Sequence, residues 1–244
     1  MDGTIAVGWP LAGVLVLLTA GAAVTVWLGG IGGWRPVATA AARAVVQLGA
    51  VSLLITAVLA SGWLTAGFVL LMVTVAALTS ARRIFGRRNA IPLVSIVAGV
   101  APVLALLLGT RLVPLVPVAV IPIAGILTGG AMTATTLAGR RALDELRGRR
   151  GEYEAGLALG FLERDAALLV TRPTAHQALV PALDQTRTVG LVTLPGAFVG
   201  VLLGGGDPVQ AGATQVLVLV ALLAIEAVAV LVTVELVARG VHRR

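Results

Sequence analysis

The sequence predicts an all-α fold: a polytopic membrane protein of about seven transmembrane helices, with a helical cytoplasmic arm between the fifth and sixth. Three observations carry this. The chain is 58% hydrophobic and only 12% charged, against roughly 25% charged in soluble domains, and its mean hydropathy is +1.02. Runs of about 20 nearly charge-free residues recur, each long enough to cross a hydrocarbon core of ~30 Å. One long polar segment, 139–188, interrupts the pattern, with apolar walls on both sides.

In chain order the expected spans are 5–28, 37–60, 63–81, 90–109, 112–138, 188–203 and 209–237. The second and third are joined only by Ser61-Gly62. Glycine and alanine are abundant within them, which suits close helix–helix approach. No internal repeat or low-complexity linker is evident, so residues 1–244 read as one transmembrane domain. Met1-Asp2-Gly3 lacks a basic flank, so no cleaved signal peptide is expected.

Orientation is set by the arginines. Arg35, the group Arg82, Arg83, Arg87 and Arg88, the arm arginines, and Arg239, Arg243 and Arg244 all fall on one side of this topology. Arg111 stands alone on the other, and Arg43 lies within a span. The positive-inside rule then places the N-terminus outside and the C-terminus in the cytoplasm of a plasma (inner) membrane. The same rule accounts for the net charge of +7, so no nucleic-acid partner is expected.

Composition also excludes chemistry. All basic residues other than His176 and His242 are arginine. Without lysine the chain cannot build a Walker A phosphate site or a Schiff base. Without cysteine it has no disulfide, thiolate metal site or thiol nucleophile. No cofactor bound by this chain is expected, and no metal-ligand spacing is visible. An intramembrane enzyme built on His176 and Glu226 would have no visible triad and no metal-ligand spacing.

Polar groups inside spans mark a transport pathway. Arg43 and Gln47 stand one helical turn apart in the second span, and Glu226 lies within the seventh. A charge near mid-bilayer costs about 2.5–3.5 kcal/mol on insertion scales, so it rarely faces lipid. Arg43 is expected to pair with Glu226, or failing that with Glu235, either as a structural ion pair or as a relay. The fifth span holds Pro114, Pro117, Pro122, Gly125, Gly129 and Gly130, with Thr128, Met132, Thr133, Thr135 and Thr136. The sixth holds Thr193-Leu194-Pro195-Gly196. Proline removes a backbone donor and clashes with the preceding turn. The freed carbonyls must then face protein or a water-lined cavity. Two interrupted helices flanking the arm are therefore the expected pathway, with ordinary kinked packing as the alternative.

The arm balances eight arginines against seven carboxylates, Asp184 included. Leu143, Leu146, Arg150, Tyr153 and Leu157 alternate three- and four-residue spacings, which predicts a helix continuing from the fifth span. Gly160 is a plausible stop. Glu163 and Asp165 then favour the start of a second, short helix, and Pro173 and Pro181 punctuate the remainder of the arm.

Two resemblances attach to these residues. Glu154-Ala155-Gly156-x-x-x-Gly160, nine residues, then Val170-x-Arg172-Pro173 resembles the EAA loop of ABC-transporter permeases, E-A-A-x3-G-x9-I-x-L-P; Gly156 and Arg172 depart from it. A closer likeness is to the FetB-type permeases, an iron-export family whose plant relatives are linked to aluminium tolerance. It rests on Arg43-x-x-x-Gln47-Leu48, on Ile121-Pro122-Ile123-Ala124-Gly125 with Gly129 and Ala131-Met132, and above all on Thr188-Val189-Gly190-Leu191-Val192-Thr193-Leu194-Pro195-Gly196. The family reads G-N-A-M-N-A where this chain has Gly129-Gly130-Ala131-Met132-Thr133-Ala134.

The resemblance implies the membrane subunit of a two-component ABC transporter for metal, with iron as the family's substrate. Two copies would pair with two separate ATPase subunits that use the ATP. Glu154, Ala155, Gly160, Arg164, Asp165 and Pro173 would form the ATPase-coupling contact. Arg43, Gln47, Pro122, Met132, Thr193, Pro195, Gly196 and Glu226 would line the transport pathway. The alternative is an ion-gradient transporter acting alone, with Arg43 and Glu226 as its relay.

Overall fold

A computed structural model describes residues 7–240. Met1–Gly3, the expected start of the first span at Ile5, and His242, Arg243 and Arg244 lie outside the described residues. The chain is all-α and divides into two compact units, Met1–Ala60 and Ser61–Arg244.

The first unit is a hairpin of α1 (Trp9–Leu28) and α2 (Trp34–Leu59), which pack on each other. Both are long and apolar enough to cross a membrane. Pro10 stands in the first turn of α1, where a missing N–H costs nothing. Gly30, at φ 65°, turns the chain between them.

The second unit contains α3 (Gly62–Phe85), α4 (Ile91–Gly109), α5 (Pro117–Gly148), α6 (Arg150–Ala158), α7 (Glu163–Ala175), a 3-10 turn (His176–Leu179), α8 (Val180–Thr188), α9 (Gly196–Leu203) and α10 (Pro208–Arg239). Of these, α3, α4, α5 and α10 are long and apolar enough to span a membrane. The core lies where α10 packs on α4 and α5, and α5 on α3. Small residues permit the approach: a Cβ on Gly99 of α4 would come within 2.7 Å of the Ile225 carbonyl oxygen on α10. Asp207 caps α10, accepting from the N–H groups of Val209 and Gln210 at 2.8 and 3.1 Å, and Pro208 comes next at the first helical position.

The helices α3, α5 and α10 run in one direction, with their C-terminal ends on the side that carries the arm. Arg140 Nε donates to the Arg83 carbonyl at 3.0 Å. Ile84, Leu143 and Val237 share a small core there, with Ile91 of the oppositely directed α4 against it. Gly86, at φ 67°, ends α3 by donating to the Arg82 carbonyl, and Arg82 and Arg83 in that last turn favour the negative helix end.

Two sequence expectations change. The fifth span is not interrupted: α5 is continuous through Pro122, Gly125, Gly129 and Gly130 and extends beyond 138 into the arm. Pro122 lies inside the helix and forgoes the bond to the Val118 carbonyl, yet the helix continues through it. The expected sixth span, 188–203, is no single helix. Residues 189–195 are irregular, held by Gly190 N–H donating to the Thr193 carbonyl at 2.9 Å. Helix resumes only as the eight-residue α9, with Pro195 as its N-cap. Gly190 at φ 84° and Pro195 are the physical cause: the first takes a left-handed conformation and the second cannot donate to a preceding turn.

Candidate functional site

The arm folds as an elbow. Arg149 breaks the helix after α5 with φ −113° and ψ 33°, and α6 starts at once. Its guanidinium grips the Glu152 carboxylate with Nε at 2.8 Å and also donates from Nη1 to the Val170 carbonyl of α7 at 3.1 Å. One side chain thus clamps the root of α6 to the middle of α7. The hydrogen bond from Arg149 holds the Glu152 carboxyl below its ordinary range. Tyr153 packs beside the same joint, and burial, then the Glu163 charge, pushes its phenol up. Arg150 pairs with Glu154 at 2.7 Å.

The turn is a Schellman-type stop. Gly160 sits at φ 89°, Gly160 N–H donates to the Leu157 carbonyl at 2.9 Å, and Phe161 N–H donates to that of Gly156 at 3.1 Å. Gly156, which departs from the alanine of the permease pattern, is buried where α6 meets α7. A Cβ there would approach the Ala166 Cβ at 3.2 Å, so glycine lets the two limbs close. Ala166, Ala167, Leu168 and Val170 form the buried face of α7, which packs on α5 and α10.

The expected coupling residues are gathered here but differ in setting. Glu154, Ala155, Gly160, Asp165 and Pro173 are exposed along the elbow. Arg164 is instead turned inward. Its Nε and Nη2 bond both oxygens of Glu235 on α10, at 2.6 and 2.9 Å, while Nη1 reaches Asp165 at 2.7 Å. Arg239 adds a bond to Glu235 at 2.7 Å. Within its own unit Glu235 is therefore paired with Arg164 and Arg239.

Sequence reasoning missed the elbow's apolar tip. Leu159 is 79% exposed, Leu162 72%, and Phe161 and Leu169 about half. Phe161, Leu169, Arg172 and Pro173 line a cleft of about 630 Å³ together with Arg164 and Asp165. The signal was present: Leu159-Gly160-Phe161-Leu162 is an apolar cluster at a turn inside a charged stretch, where a solvated loop would carry polar residues.

The pathway residues are spread over several elements. Glu226 is 7% exposed on α10, facing Gly130 of α5, where a Cβ would come within 2.7 Å of its Oε1. Among the described residues of the second unit no arginine forms an ion pair with it. Along α10 it stands about 16 Å from both Gln215 and Val237, which puts it near the midplane of a ~30 Å core. Among the described residues the buried hydroxyls of Thr128 and Thr135 on α5 find no partner. Met132 is half-buried, and its carbonyl accepts from Thr136 and Ser80 at 2.7 and 3.2 Å. Pro122 is exposed, while Thr193, Pro195 and Gly196 belong to the irregular stretch and the start of α9. Arg43 and Gln47 are exposed on α2 of the first unit. No group of three or more metal-ligating side chains occurs among the described residues.

The profile of the uncharacterised protein family UPF0014 matches residues 9–242. The chain belongs to the UPF0014 family. It is 36% identical over 185 residues to the rice (Oryza sativa subsp. japonica) UPF0014 membrane protein STAR2, covering 74% of this chain and 65% of that protein. It is 36% identical over 161 residues to the Arabidopsis thaliana protein ALUMINUM SENSITIVE 3, covering 65% and 59%. It is 35% identical over 129 residues to the probable iron export permease protein FetB of Escherichia coli (strain K12), covering 51% and 48%. The chain thus spans less than two thirds of the length of these relatives. No solved structure matches. The FetB-type resemblance read from the sequence is the family to which the chain belongs, and its multi-pass membrane character stands with the helices.

Proposed function

We propose that this chain is the permease subunit of a two-component ABC transporter that exports a metal cation, with iron as the substrate the FetB relative suggests. A separate ATPase, one per copy of a homodimer, supplies the work. The observation that carries this reading is the elbow: a rigid helical corner with an apolar tip and a cleft behind it. An exposed contiguous apolar patch marks an interaction site, and helix-in-groove docking is the mode such a corner fits. The elbow is stiffened by Arg149 across its two limbs and wired to α10 by the Arg164–Glu235 pair. Tilting it would shift α5 and α10 together, and the buried Glu226 lies between those helices. A packed interface of this kind has discrete arrangements, as a two-state transporter needs.

The N-terminus is outside and the arm cytoplasmic in this reading. The test is capture: the tagged chain is co-expressed with an ABC ATPase subunit from the same organism. Co-purification that Phe161→Asp and Leu162→Asp abolish supports the reading. Equal capture by wild type and both variants, or none by wild type, refutes it.

A second reading, transport on an ion gradient through Arg43 and Glu226, is favoured by one observation, the buried Glu226 with no basic partner in its own unit. Flux in proteoliposomes driven by a proton gradient without an ATPase would establish it.

A further inference from the structure

Residues 178–198 carry the chain from the arm side of the second unit to its far side, and they do so along α10. Ala178 shares a core with Val230 and Val234, and Leu179 lines a cleft with Ala227, Val230 and Leu231. At the other end, Phe198 N–H donates to Oε1 of the buried Gln215 at 3.3 Å. From Val230 to Gln215 the axial rise of α10 is about 22 Å. The intervening segment, α8 and the 189–195 stretch, therefore passes the level of Glu226, near mid-membrane.

That helix is two-faced. Ala182, Leu183 and Thr186 turn inward, and α8 packs on α10. Asp184, Gln185 and Arg187 turn outward, with the Asp184 and Arg187 side chains 62% and 72% exposed and paired loosely at 3.8 Å. Beyond Thr188 comes the irregular backbone of 189–195, with Thr193 exposed as well. Charged side chains at bilayer depth turn toward a bundle interior or a water-filled cavity, and non-helical backbone is tolerated there only when buried in protein or wetted. Lipid satisfies neither. A segment with both features does not face lipid: it lies against water or against protein.

The geometry points to the outward face of α8 as the polar, water-lined wall of the transport path, with the irregular backbone of 189–195 continuing beyond it toward the far side. Asp184, Gln185, Arg187 and Thr188 belong to the membrane crossing, not to the cytoplasmic arm. The Asp184 carboxylate is the acidic group on this wall for a cationic solute. The inference rests on the permease reading for its purpose but not for its geometry.

The absence of native cysteine makes the test direct. Single variants Gln185→Cys and Thr188→Cys are compared in membrane vesicles with Gly151→Cys, exposed on the arm, and Leu70→Cys, exposed on the apolar surface of α3. Each is treated with a small cationic methanethiosulfonate and separately with a maleimide carrying a long polyethylene glycol chain. The wall reacts with the small reagent about a hundredfold faster than Leu70→Cys, reflecting the exclusion of a fixed charge from hydrocarbon, yet resists the bulky one. Gly151→Cys takes both. Selective reaction with the small reagent at either position carries the inference. Its absence at both overturns it, whether because neither reagent reacts or because the bulky reagent reacts as readily as on the arm. No ATPase is present in this measurement, so a failed capture experiment leaves the outcome readable.

Discussion

Substituting Gly99 by alanine separates a backbone collision from a side-chain one. The added methyl would stand 2.7 Å from the Ile225 carbonyl oxygen and 3.1 Å from its Cγ2. A carbonyl locked in the α10 hydrogen-bond ladder cannot rotate away, so α4 and α10 must part. At Gly130 the same methyl meets Leu222 Cδ2 at 2.5 Å and Glu226 Oε1 at 2.7 Å, the ends of two side chains that can turn aside. Overpacking costs about 1–3 kcal/mol, and Gly99→Ala belongs at the upper end of that range. For a unit of this size each kcal/mol is worth about 2–4 °C of Tm, so Gly99→Ala should melt roughly 6–12 °C below wild type. Gly130→Ala should lose only about half as much. The assay is thermal unfolding of the purified full chain in a mild detergent. A Gly99→Ala protein that melts with wild type, or a larger loss at Gly130, would show that α4 and α10 do not meet as described.

The same contacts give three other expected outcomes. Glu226→Gln should insert and fold normally, because the amide keeps the size and shape of the carboxyl, yet lower metal-ion flux markedly; unaltered flux would make the carboxyl structural. Removing the Arg164–Glu235 pair in a double-mutant cycle should show little coupling in stability, since solvent screens Arg164, but should reduce coupled transport more than stability; additive effects on both would leave the pair idle. The Glu152 carboxyl is held down by Arg149, so this pair supports the arm fully above the ordinary carboxylate range and is lost as pH falls through the lowered value. Protection of residues 150–158 against hydrogen exchange should persist below about pH 4.5 in wild type, and Arg149→Ala should move its loss to higher pH; coincident profiles would contradict the clamp.

Much of this arrangement is legible in the residues themselves. Hydropathy marks α3, α4, α5 and α10 because burial in lipid acts on composition, which a sequence states outright. The elbow is legible because Gly160 is a stop signal with a backbone mechanism and acidic residues come soon after it. The sixth crossing misleads because residues 188–203 are apolar on average, whereas Gly190 and Pro195 decide the backbone one position at a time. Arg164 misleads for another reason. Its partner Glu235 is far along the chain, and spacing rules see only neighbours on one helix. The same limit hides Asp184, whose place beside α10 depends on where Ala178 and Phe198 dock.

The central claim is that force enters through the elbow from an external ATPase. The direct measurement is ferrous-ion efflux from proteoliposomes holding the chain and its ATPase, for wild type and Gly160→Val. Gly160 adopts φ 89°, and a β-branched residue there is strained by about 1–2 kcal/mol, enough to reshape the turn while leaving the spans intact. Efflux should require ATP, and the variant should hydrolyse ATP with efflux lost. Efflux on a proton gradient with no ATPase present, or full coupled efflux in the variant, would contradict the account.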